Sequence, residues 1–145
     1  MKSCVASSIS SLRDFIISLD IPFEENHREL INPLEVDIYV PSKNIAIEYN
    51  GLYWHSESYV DNTYHLNKTE LCNDKGVKLI HIFEDEWINK QDIVKSRLKN
   101  LFGLTEERIY ARKCVVKEVK TTDKTKFLNE NHIQGAVGSK INLGL

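Results

Sequence analysis

Long apolar runs are missing from this chain of 145 residues. None approaches membrane-spanning length, and the opening MKSCVASSIS lacks the apolar core of a secretory signal. Cysteine is scarce as well. Cys4, Cys72 and Cys114 are odd in number, far apart and never in a CxxC pair. That argues against a disulfide scaffold or a zinc ribbon and suits a reducing cytoplasm. Internal repeats and low-complexity tracts are absent too. What remains is 41% hydrophobic and 28% charged, which predicts a soluble globular chain of one domain with part of a second.

The formal net charge of −2 hides an asymmetry. Residues 1–92 carry 8 Lys and Arg against 16 Asp and Glu, whereas residues 93–145 carry 11 against 5. An acidic body with a basic tail is compatible with metal chemistry in one part and polyanion contact in the other. On charge alone, two solvated faces are the favoured explanation.

Local patterns predict the order helix, strand, strand, strand, helix, strand, helix. Ser7 and Ser8 can cap a helix whose Ile9, Leu12, Ile16 and Leu19 keep helical spacing. A short extended segment follows Ile21-Pro22-Phe23, and Asn32-Pro33 breaks the chain. LEVDIYV (Leu34 to Val40) and NIAIEY (Asn44 to Tyr49) read as a hairpin turned at Pro41-Ser42-Lys43. Asp61 to Lys75 reads as a helix stopped at Gly76, and VKLIHIF (Val77 to Phe83) as a mid-sheet strand. The intervening helix suits a crossover that makes NIAIEY and VKLIHIF parallel. Gln91 to Phe102 is a further amphipathic helix. Beyond Ile109 the basic strand YARKCVVKEVK, a helix at Thr122 to Asn131 and a Gly-punctuated end read like the opening of a second domain.

Alternation puts Glu35, Asp37 and Tyr39 on one face of the first hairpin strand, and Ala46 and Glu48 on one face of the second. Asp37 and Glu48 can therefore converge. Two carboxylates brought together repel, and one pKa rises unless a cation lies between them. A hard divalent ion with oxygen ligands is the natural candidate. The plainer alternative is a solvent-facing acid pair, which His55 and Lys68 weaken by arriving from the next elements. Lys68 falls within the apolar arc of Tyr64, Leu71 and Cys72, where a snorkelling lysine is common and a lysine serving the acids is the sharper reading. His65 and Asp61 flank that arc. His81 reads as structural, and Glu84-Asp85-Glu86 as a solvated strand end.

Pro33-Leu-Glu-Val-Asp37, ten residues, then Glu48-Tyr-Asn50 resembles the PD-(D/E)xK nuclease motif, with Asn50 where the family usually has lysine. Gly51-Leu-Tyr53-Trp54-His55, a helix and an apolar strand ending Phe83-Glu84 narrow the resemblance to very-short-patch-repair endonucleases and phage EDxHD-type homing endonucleases. The resemblance implies an α/β, restriction-endonuclease-like core with a mixed central sheet flanked by helices. It implies a nuclease core over residues 1–104, with 105–145 a basic segment that begins a second DNA-contacting domain. Asp37 and Glu48 would bind Mg²⁺ or Mn²⁺. His55, Lys68 and His65 would join them in catalysis. Asn50, Tyr53, Trp54, Arg112, Lys113 and Lys117 would contact double-stranded DNA. The repair enzymes' zinc-binding Cys/His cluster is missing, so no structural zinc is expected, and SSISSL in the first helix offers no glutamate before Asp14. By resemblance the setting is the cytoplasm of a phage-infected bacterium, without a membrane, the oligomeric state left open to include a dimer. The rival reading is a catalytically decayed DNA-binding or structural domain on the same fold.

Overall fold

The computed structural model describes residues 2–51 and 62–145, with backbone alone for residues 2–6, 62 and 63. Its elements are α1 (Lys2–Ser18), β1 (Glu24–Ile31), β2 (Leu34–Val40), β3 (Ile45–Asn50), α2 (Asn62–Asp74), β4 (Lys78–Phe83), α3 (Glu84–Asn89), α4 (Gln91–Leu101), β5 (Lys117–Glu118), α5 (Thr121–Asn131) and β6 (Leu143–Gly144). They fall into two compact units, Met1–Asn89 and Lys90–Leu145. α4 thus groups with the tail, whereas the sequence pattern assigns it to the core.

The first unit is a mixed α/β layer structure. Its four strands lie in the order β1-β2-β3-β4. β1–β2 and β2–β3 are antiparallel, and β3–β4 is parallel across the α2 crossover. A 3-10 turn at Pro41–Lys43 closes the hairpin, with Asn44 at φ 51 donating its N–H to the Pro41 carbonyl. Asparagine tolerates that left-handed backbone better than most residues. Gly76, at φ 72, likewise ends α2.

One sheet face carries Val36, Ile38, Val40, Ile45, Ile47, Ile80 and Ile82, all buried. Leu12 and Ile16 of α1 are fully buried, and Phe15 lies 6.3 Å from the Trp87 ring of α3. The other face has an apolar row, Tyr39, Ala46 and Leu79, paired strand to strand in register. Cys72 of α2 and Val77 pack with that row.

Four local expectations are corrected. The first helix begins at Lys2 rather than at Ser7 or Ser8, because nothing in KSCVAS breaks a helix. β4 is an edge strand among the described residues, not a mid-sheet one; its apolar character comes from burial on both faces. Glu84-Asp85-Glu86 is the first turn of α3, where acids suit the helix N-terminus, and Glu84 is buried rather than solvated. The basic strand contracts to Lys117–Glu118, with a 3-10 turn at Ala111–Lys113.

Trp87 is 2% exposed at the centre of α3. Trp87→Ala should destabilise the protein by about 3–5 kcal/mol, the usual result of emptying a large aromatic site. Urea unfolding measures this, and a loss below about 1 kcal/mol would mean that Trp87 does not anchor α3.

From residue 103 to 145 no side chain is buried, and Ile109, Val115, Val116, Phe127 and Ile141 are more than half exposed. No helix among the described residues is long and apolar enough to cross a membrane.

Candidate active site

Two residues beyond the Tyr39–Ala46–Leu79 row, toward the C-terminal ends of the parallel strands, the sheet turns polar. Glu48 pairs with His81 in the β3–β4 register. One further step of the β2–β3 register, which ends at Ile38–Ile47, brings Asp37 opposite Glu48. Asp37, Glu48 and His81 therefore form a row across three strands on one face. The ladder is also modified there: the Tyr49 amide donates to Asp37 Oδ2 at 2.7 Å. A carboxylate takes the hydrogen bond that a neighbouring strand would ordinarily accept, which ties Asp37 to β3.

α2 covers this row because Lys68 and Cys72, one turn apart, both face inward and are buried. Tyr64 and Leu71, expected on the same arc, are 39% and 43% exposed instead. The arc is narrower than the sequence pattern implies, and Lys68 sits at its centre. Its Nζ lies 2.6 Å from Glu48 Oε1, with only 3% of the lysine side chain exposed. This is no snorkelling lysine. The Tyr64 ring lies 5.8 Å from the same ammonium, within range of a cation–π contact.

The electrostatics follow from burial. Desolvation pushes the Asp37 carboxyl above its ordinary range, opposed by the Tyr49 amide, by Lys68 and by Arg13. Desolvation, then the nearby Asp37 charge, raises Glu48, with Lys68 and the Asp37 amide pulling the other way. Glu48 Oε2 is buried and finds no hydrogen-bond partner of good geometry. Two carboxylates held above their normal pKa, one with an orphaned oxygen, form a donor set short of positive charge. That suits a hard divalent cation, which is commonly held by one or two carboxylates plus water or phosphate oxygens. Among the described residues no cluster of three or more His, Cys, Asp or Glu is arranged around a common metal position.

Beside the carboxylates lies a second polar group. Asn50 Nδ2 is 3.3 Å from His81 Nδ1, and Thr69 Oγ1 is 3.2 Å from His81 Nε2. The Thr69 hydroxyl donates to the His65 carbonyl at 2.7 Å. The His65 and His81 rings meet edge to face, 5.2 Å apart. Burial first, then His65 and Lys68, hold the His81 imidazole below its usual pKa.

Of the residues proposed from sequence, the structure brings together Asp37, Glu48 and Lys68, with Asn50 and His65 alongside. Tyr53, Trp54 and His55 lie outside the described residues, as does Asp61. Arg112, Lys113 and Lys117 are in the second unit, with Arg112 and Lys117 exposed on turn and strand. Three members of the site escape sequence reasoning. His81 reads as structural from sequence, although its strand parity matches Glu48 once β3 and β4 are parallel. Thr69 gives no signal of its own. Arg13 is the first helix's contribution: it acts on Asp37 and pairs through Nη1 with Glu25 Oε2 at 3.2 Å. A search for a glutamate there looks past it.

The four-stranded mixed sheet flanked by helices is consistent with a nuclease-like α/β core. The solved structure of the homing endonuclease I-Bth0305I catalytic domain resembles this chain with a TM-score of 0.51 and 27% identity, over 63% of this chain and 89% of that one. That likeness supports a nuclease fold. No protein-family model matches the chain, and no curated protein does.

Proposed function

We propose that this protein is a metal-dependent DNA endonuclease of PD-(D/E)xK type. The observation that carries this reading is the Asp37–Glu48–Lys68 cluster: two half-buried carboxylates held above their ordinary pKa, a buried Glu48 oxygen without a hydrogen-bond partner of good geometry, and a buried ammonium at 2.6 Å. The homing endonuclease likeness supports DNA as substrate. Asp37 and Glu48 would hold Mg²⁺, which when bound polarises a phosphodiester and acidifies water. Lys68 keeps the site's charge balanced and can turn toward the phosphate oxygens as negative charge develops there. His55, in the segment that follows β3, is the proposed general acid/base. A phage homing role, action in the bacterial cytoplasm and the 1–104 core with a DNA-contacting tail belong to the same proposal.

Supercoiled plasmid incubated with the protein and Mg²⁺ should yield nicked or linear DNA, and with EDTA should stay supercoiled. No cleavage with any divalent ion would favour the decayed, DNA-binding alternative. His55→Ala should slow cleavage of bound DNA by roughly a hundredfold or more, with affinity little changed. Weaker binding with normal turnover would make His55 a contact residue instead.

The basic tail would supply affinity without sequence information. Neutralising Arg112, Lys113 and Lys117 together should lower the slope of log affinity against log salt by about one unit for each phosphate these side chains neutralise. Binding measured across a salt series decides this. An unchanged slope would place the DNA surface on the first unit.

A further inference from the structure

The hydrogen bonds around His81 favour one of its two nitrogens as the proton carrier. Thr69 has one hydroxyl hydrogen, and it is committed to the His65 carbonyl at 2.7 Å. Toward His81 Nε2, at 3.2 Å, the threonine oxygen can only accept. Nε2 therefore carries hydrogen. In a neutral imidazole Nδ1 is then an acceptor, and the partner it finds is the amide nitrogen of Asn50 at 3.3 Å. The chain Asn50 N–H to His81, His81 N–H to Thr69, Thr69 O–H to the His65 carbonyl has one direction and leaves none of its donors misdirected.

This direction matters at Asn50. Asn50 follows Glu48 by two residues on β3, so both side chains emerge on the face that carries Asp37. With Nδ2 turned to His81, Oδ1 is turned away from it on that same face. We propose that His81 is a positioning residue that fixes the Asn50 amide so that Oδ1 serves as a third oxygen beside Asp37 and Glu48, accepting from a water held at the carboxylate pair. The inference rests on the nuclease reading of the site. It also explains how an asparagine functions where the motif usually has lysine: the position supplies an acceptor, while Lys68 on α2 supplies the cation. Histidine and threonine form the outer support, as partners behind ligands commonly do.

The test uses the full chain. Long-range proton–nitrogen NMR correlation of histidine-labelled protein, with His81→Gln to assign the signal, should show His81 neutral with its proton on Nε2. A proton on Nδ1 overturns the proposal whether or not the protein cleaves DNA. In single-turnover cleavage of plasmid compared at equal DNA occupancy, His81→Leu and Asn50→Ala should each slow the step by about 10–100-fold. The double variant should be no slower than Asn50→Ala. His81→Gln, which can accept from Asn50 and donate to Thr69, should recover most of the rate. Additive losses, or a Gln variant as slow as Leu, would overturn the positioning role. If the wild type cleaves nothing, the proposed function fails, and the tautomer decides the orientation by itself.

Discussion

Lys68→Met should destabilise the protein by about 3–5 kcal/mol, as breaking a buried ion pair from one side generally does. The Glu48 carboxylate would lose its Oε1 partner while Oε2 already has none of good geometry. Methionine keeps the length and apolar stem of the lysine, so the loss reports charge rather than packing. The pH dependence follows from linkage. Glu48 titrates above its unfolded value because of burial and Asp37, and removing Lys68 raises it further. An acid with a raised folded pKa gives up its proton more readily when unfolded, so stability falls as pH rises through that window. The penalty is complete above the folded pKa and absent below the unfolded one. Urea unfolding of wild type and variant should therefore diverge most at neutral pH and converge in acid. Equal losses at both would mean that Lys68 acts as packing. Glu48→Gln added to Lys68→Met should restore much of the stability, since the carboxylate that lost its hydrogen-bonded partner is then uncharged.

Asp37→Asn should have the opposite effect on stability. Burial is the largest influence on this carboxyl and works against its charge. Asparagine retains an oxygen that can accept from the Tyr49 amide, the 2.7 Å contact that ties β2 to β3. In EDTA the variant should melt at or above the wild-type temperature, and its advantage should grow from acid toward neutral pH. The sign is that of Glu48: a raised folded pKa makes the charged form a burden above it. A variant that melts lower at neutral pH would show that Lys68 and Arg13 need the Asp37 charge more than burial penalises it. Stability gained by neutralising a site residue, with activity lost, is the signature of a functional carboxylate.

The strands and the parallel crossover are legible in the sequence because each has a local cause. LEVDIYV and NIAIEY alternate, Pro41-Ser42-Lys43 and Gly76 mark turns, and a helix between two strands leaves little choice but a parallel pair. Asp37 and Glu48 are legible for the same reason, since parity and one turn place them side by side. Lys68 is legible as a charge at an apolar position. His81 is not, because its importance depends on which residue of another strand it faces, and register across a crossover is not written locally. Arg13 is obscure for a similar reason: its effect on Asp37 comes from where α1 packs. α3 escapes notice because EDE before a tryptophan looks like solvated sequence until the helix buries Trp87 and Glu84.

The central claim, a divalent-ion site built on Asp37, is tested most directly by single-turnover cleavage of DNA already bound to the protein. Wild type and Asp37→Asn are loaded on the same duplex in EDTA and started with excess Mg²⁺. The account predicts cleavage by wild type and none measurable by Asp37→Asn at equal occupancy. Cleavage by Asp37→Asn at the wild-type rate would contradict it, because a site that works without that charge does not use Asp37 to hold its metal.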